Sequence, residues 1–427
     1  MTQRYLIPVL VVMMLTTGVC NTLLTKYQDN QCVRNCDDPD PKKRRYFEQP
    51  VLQTAQMFVG EMGCWVVVGL ISLYNRYQAK KNGVSPTGAA YEAVAADDDE
   101  NDDGLATDGA SIHSRTALNG SDGPGKLVVV TDANSVLRGF GILLLALPSI
   151  CDILGTTLMN AGLLLVAASI YQMTRGALVL FVGLFSVLFL HRHLYLFQWV
   201  SLGGVMLGVA IVGLAGAISP DATTNASEVV SSAVADLGTE AARVIIGVLL
   251  IAGAQIFTAT QFVLEEWILE RSTIEPLRVV GWEGLFGFLV TVSGMIVMHL
   301  TIGRTEAGAL GYFDIVEGWR QMTADPRILI SSLLIMVSIG GFNFFGLSVT
   351  RTVSATSRST IDTCRTLFIW LVSLSLGWES FKWLQVLGFG LLVYFTFLFN
   401  GLVKPPFKLL DPPRVEELLP EEPIEHH

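Results

Sequence analysis

Two arginines stand where a lipid-spanning helix should have none. Arg175 lies in SIYQMTRGALVLFVGLFSVLFL (169–190) and Arg365 in SATSRSTIDTCRTLFIWLVSLSL (354–376), about 190 residues later. A guanidinium in hydrocarbon is costly unless it faces protein or water, so each marks a polar interior or a gate. Glu61, Asp152, Glu283 and Asp362 also fall inside apolar runs, with Asn343 and Arg358 as further candidates. The chemistry within reach is ionic recognition of a solute, together with proton acceptance by Glu61 and Glu283 in a dry cavity. Each residue also has a plainer reading. Asp152 can pair with Arg175 across a helical hairpin, Asp362 and Arg365 are three apart and can neutralise each other, and the two glutamates can hydrogen-bond between helices. Tyr171, Gln172, Asn160, Gln255 and Gln261 are either solute contacts or interhelical glue.

Enzymatic chemistry has no foothold. The sequence contains no Gly-rich phosphate loop, His-Glu-x2-His or Gly-x-Ser-x-Gly pattern, and nothing in it calls for a cofactor, a metal or a nucleic acid. His191 and His193 flank Arg192 in a short polar loop and read as solvated.

The elements that must position these side chains are membrane spans. Of 427 residues, 51% are hydrophobic and 15% charged, and the apolar residues come in blocks. The net charge of -10 describes appendages, since eight acids lie in 92–108 and six in 411–425. The pattern predicts an all-α polytopic membrane protein with ten spans: 5–24, 51–74, 139–160, 169–190, 197–218, 244–265, 279–301, 328–349, 354–376 and 383–402. The first run can also be read as a cleaved signal peptide; a retained span is preferred because the repeat needs it. Residues 1–77 then hold spans one and two with a lumenal loop, and 78–138 form a disordered cytosolic insertion. Residues 139–218 hold spans three to five, 219–242 a lumenal loop, 243–402 spans six to ten, and 403–427 a disordered acidic tail.

The halves match in order. Asp152-x2-Gly155 corresponds to Asn343-x2-Gly346, Arg175 to Arg365, Gln198 to Gln385 and Glu61 to Glu283. Five spans per unit is odd, so the second unit enters from the opposite side, the 5+5 inverted repeat of secondary carriers. Pro148 and the Gly340-Gly341 pair fall at matching places and are expected to interrupt their helices. Repeat-related charges are expected at two gates, with Asp152–Arg175 on the lumenal side and Asn343, Asp362 and Arg365 on the cytosolic side. Gly204 and Gly208 in span five, with Gly388 and Gly390 in span ten, read as scaffold or homodimer surfaces.

A modest lean of lysine and arginine puts both termini in the cytosol. The sequon at Asn225 then becomes a lumenal glycosylation candidate, and Cys32 with Cys36 either a lumenal disulfide or two free thiols.

TTGVCNTLLTKYQDN, QMFVGEMG, CDILGTTLMNAGL, YQMTRGALVLFVGLFSVLFL, EPLRVVGWEGLFGF and SVTRTVSATSRSTIDTCRTLFIWLVSLSLGWESF resemble solute carrier family 35, subfamily F, of the drug/metabolite transporter superfamily. The resemblance implies a ten-helix 5+5 carrier of a lysosomal, vacuolar or Golgi membrane, related to nucleotide-sugar transporters. Its partners would be a small-molecule substrate and membrane lipid. Three functions stay open: a secondary carrier of a nucleotide-sugar or related metabolite, a proton-coupled exporter of amino acids or amphiphilic cations, and a non-transporting membrane interaction protein.

Overall fold

The computed structural model describes residues 3–36, 44–47, 49–81, 139–163, 165–166, 171, 174–218, 237–305, 311–377 and 381–405. The Asn225 sequon, Gln172, and nearly all of the 78–138 and 403–427 segments lie outside the described residues. Twelve α-helices are present among those described: α1 (Gln3–Asp29), α2 (Pro50–Met62), α3 (Cys64–Lys81), α4 (Ala146–Leu163), α5 (Leu178–Phe189), α6 (Leu196–Ile218), α7 (Leu237–Arg271), α8 (Pro276–Met298), α9 (Ile315–Ala324), α10 (Pro326–Thr352), α11 (Ala355–Ser375) and α12 (Trp383–Phe399). A two-stranded antiparallel ribbon, β1 (Cys32–Arg34) with β2 (Arg45–Tyr46), was not expected from the sequence. Cys32 and Cys36 are joined by a disulfide beside it.

Among the described residues, seven helical stretches are long and apolar enough to cross a membrane, and α5 and α12 are shorter apolar helices. Bulky apolar side chains point outward, as at Val66, Leu70, Leu249, Leu333 and Val337. Outward apolar faces with polar residues inside are the pattern of a multi-pass membrane protein, because lipid rather than water covers the exterior.

α11 shows how a polar stretch is buried at such a site. Its first half carries Ser359, Thr360, Thr363 and Thr366, whose hydroxyls donate to backbone carbonyls one turn back at 2.6–2.9 Å, leaving none of the four unsatisfied. Ser354 caps this helix by accepting from the Ser357 N–H at 3.0 Å, and Glu266 of α7 accepts from the Ala355 N–H at 3.0 Å. α10 starts on Asp325 as N-cap, followed by Pro326.

The expected helix interruptions are not mid-helix breaks. α10 runs through Gly340-Gly341 without a gap, and Pro148 sits in the first turn of α4, just after the 3-10 stretch Gly139–Leu145. A proline is tolerated in a first turn, where its missing N–H is not needed. The glycines serve close approach instead. A side chain at Gly340 would meet the Gly60 carbonyl at 2.6 Å, and one at Gly341 would meet Thr17 at 3.2 Å, so α2 and α1 pack directly onto α10.

The span-five and span-ten glycines are likewise used inside the chain. α6 packs on α12, with Gly204 under Phe395 and Gly208 against the Gly388 carbonyl and the Leu392 backbone. Gly203 and Gly390 face open space.

Candidate functional site

Four buried carboxyl groups gather around one arginine. Glu61 near the end of α2, Glu265 in α7 and Glu283 in α8 are 4%, 1% and 7% exposed, and Asp152 of α4 is half-buried beside them. Arg358, in the first turn of α11, donates to Glu265 at 2.5 Å and lies 4.1 Å over the Phe262 ring. Gln261 donates to the other Glu265 oxygen at 3.0 Å. Asn343 of α10 donates to Glu61 at 2.6 Å. Asp152, Glu265 and Arg358 lie within electrostatic reach of Glu61, and all four reach Glu283. The side chain of Glu61 also lies where Gly284 has none, which is why α2 and α8 approach so closely at this level.

The second group is built on α11. Arg365 donates to Asp362 at 3.2 Å and lies 4.8 Å over the Phe342 ring, with Gly18 of α1 against its side chain. Arg175 and Tyr171 lie within electrostatic reach of Arg365. Asp362 Oδ1 and Arg365 Nε are sealed off without a hydrogen-bond partner among the described residues.

Two expectations are corrected by this geometry. Asp152 and Arg175 form no ion pair; Asp152 lies within electrostatic reach of Glu265 and Arg358, and Arg175 within reach of Arg365. Asn343 does not join Asp362 and Arg365 as expected; it donates to Glu61, which lies within electrostatic reach of Asp152. The pairing failed because α4 packs against α7 and α8, which turns Asp152 away from the residues preceding α5.

Glu265, Glu266 and Arg192 were missed as site residues. The hydropathy pattern places Glu265 at a span end and Arg192 in a loop, although two adjacent acids closing a long apolar run are a legible signal. Arg192 bonds Glu266 at 3.1 Å and also Glu270, tying the α5–α6 loop to α7. Arg351 donates to the Ile274 carbonyl at 2.7 Å at the same end. The ribbon end has its own network, in which Arg34 and Arg320 reach Glu317 at 3.1 and 2.8 Å. Burial by itself raises the Glu317 carboxyl; hydrogen bonds from Gln321 and Arg320, with the charges of Arg320 and Arg34, outweigh it and hold the group below its ordinary value. Among the described residues no cluster of His, Cys, Asp or Glu has metal-binding geometry.

A bundle that is apolar outside and ionic at its centre defines a multi-pass membrane protein of the solute-transporter class. The comparisons narrow it further. The profile of the nucleotide-sugar transporter family matches residues 133–299. Human solute carrier family 35 member F6 is 34% identical over 92% of this chain and 88% of its own length, and the Pongo abelii protein of that name is 35% identical over the same shares. A Schizosaccharomyces pombe protein described as uncharacterized protein C12G12.12 is 35% identical over 92% of this chain and 98% of its own. A solved structure titled only "Crystal structure of protein" shares the fold, with a TM-score of 0.51 at 12% identity over 93% of this chain and 98% of that one. The chain belongs to solute carrier family 35, and its relatives there are member F6 proteins.

Proposed function

We propose that this protein is a secondary-active transporter that carries an organic solute of the nucleotide-sugar class by alternating access, through ten helices arranged as a 5+5 inverted repeat. The observation that carries the reading is that Arg175 and Arg365, the guanidiniums at corresponding places in the two repeats, lie within electrostatic reach of each other. Two arginines on one interior suit the phosphates of a nucleotide-sugar, and Tyr171 supplies a hydroxyl and a ring beside them.

The helix packing supports the repeat. Exchanging α1 for α7, α2 for α8, α4 for α10, α5 for α11 and α6 for α12 turns the α1–α10 contact into α7–α4 and the α5–α7 contact into α11–α1. It turns α4–α8 into α10–α2, and it maps the α2–α8 and α6–α12 contacts onto themselves. The disulfide at the ribbon end supports a lumenal ribbon and cytosolic termini in an endomembrane such as lysosome, vacuole or Golgi.

The test is exchange of labelled nucleotide-sugars into nucleotide-loaded proteoliposomes containing the full chain. At least one should accumulate, with Arg365→Gln and Arg175→Gln weakening uptake. A monodisperse protein that exchanges none of them removes the nucleotide-sugar class.

A further inference from the structure

The repeat sets two contacts side by side. In one, the Asn343 amide of α10 donates to the Glu61 carboxyl of α2 at 2.6 Å. The residues at the corresponding places in the other repeat are Asp152 of α4 and Glu283 of α8, an acid paired by position with an acid, and Asp152 lies within electrostatic reach of Glu283. Ser149, one turn before Asp152, donates to the Glu283 backbone carbonyl at 2.8 Å and fixes α4 against α8 at this level. Glu283 Oε1 is sealed off and has no hydrogen-bond partner among the described residues. An amide donates to a carboxylate unaided; two carboxyl groups bond each other only when one carries a proton.

Among the described residues the surroundings supply no positive charge other than Arg358. α2 brings Glu61 toward Glu283, α7 brings Glu265, and α11 brings Arg358, which Glu265 already engages at 2.5 Å. The remaining titratable groups nearby are the thiols of Cys64, beside Glu61, and Cys151, beside Asp152 and Glu265. Among the described residues the cluster therefore holds three carboxyl groups beyond its one ion pair, and uncompensated charge buried in a membrane interior is strongly disfavoured.

We propose that Asp152 and Glu283 form a proton-binding site, and that loading and emptying it is the co-ion step of the transport cycle. This rests on the carrier reading above. A proton taken up between the two carboxyl groups makes one the donor and the other the acceptor, joining α4 of the first repeat to α8 of the second. Its release leaves two carboxylates that repel and favour separation of the same helices. The site thus acts on the contact between repeats, while Glu61 already has the Asn343 amide as its donor.

The experiment is infrared difference spectroscopy on the full-length reconstituted protein, with a pH step across neutrality as the probe. A carboxylic-acid carbonyl band that appears on acidification, shifts in deuterated water, and is lost in Glu283→Gln and Asp152→Asn but kept in Glu61→Gln is the expected result. Asn343→Asp should add a second such band by rebuilding the acid–acid contact in the other repeat, which gives a gained signal should a lost one reflect misfolding. A band that ignores pH, or that survives in the Asp152→Asn/Glu283→Gln double variant, overturns the site. If a nucleotide-sugar exchanges but a pH gradient leaves its uptake unchanged, the co-ion role fails and the carrier reading stands. A band that behaves as expected in a protein that exchanges no nucleotide-sugar keeps the proton site and removes only that substrate class.

Discussion

Arg358 and Glu265 meet at 2.5 Å with side chains 2% and 1% exposed, joining the first turn of α11 to the end of α7. Among the described residues, Arg358 is the one cation reaching a cluster that also contains Glu61, Asp152 and Glu283. Arg358→Gln should therefore cost about 3–5 kcal/mol, the usual penalty for leaving a buried charge uncompensated. Adding Glu265→Gln should recover much of that loss. Unfolding midpoints of the purified variants in detergent measure both, and a double variant no better than the single would show that the pair is not the unit.

Asp152 and Arg175 should behave independently. They share no ion pair, and sites without shared partners add to within about 0.5 kcal/mol in a double-mutant cycle. Exchanging the two residues should not rescue either single change. A coupling well above that level would restore the hairpin ion pair.

The two neighbouring glycines of α6 should differ sharply. A side chain at Gly208 would meet the Gly388 carbonyl at 2.8 Å and the Leu392 nitrogen at 2.9 Å, backbone atoms that move only if the helices part. Gly208→Val should cost about 1–3 kcal/mol or more through overpacking. Gly203→Val, which faces open space, should leave monodisperse yield and melting unchanged.

Acid should loosen the ribbon end through Glu317. Its carboxyl is held below the ordinary value of 4.5, so its contribution to stability is present above that value and lost as pH falls through the lower folded value. Glu317→Gln should flatten this acid-side loss and, at neutral pH, free Arg34 from its 3.1 Å contact. Melting curves across that acidic window, alongside limited proteolysis near residues 34–46, give the comparison. A variant that tracks the parent protein at every pH would remove Glu317 from the network's stability.

Only part of this was legible along the chain. Long apolar runs such as 328–349 announce themselves because a spanning helix needs about 20 apolar residues whatever it packs against. The ionisable residues inside those runs were legible for the same reason, since hydrocarbon makes any charge conspicuous. α11 was harder, because its first half reads as a polar segment and its hydroxyls are satisfied only by bonding back into its own helix.

Partnership was not legible. The sequence determined that Glu61, Asp152, Glu283, Arg175 and Arg365 must be buried or lining a cavity, because each carries charge within an apolar run. It could not say that Asp152 turns from Arg175 toward Glu265, or that Gly340 and Gly208 serve close helix contacts rather than kinks or a second copy. Periodicity fixes which residues share one helix face. Which face meets which neighbour depends on how the helices cross, and those crossings are set by contacts between residues far apart in the chain, such as Asn343 on Glu61 and Arg358 on Glu265.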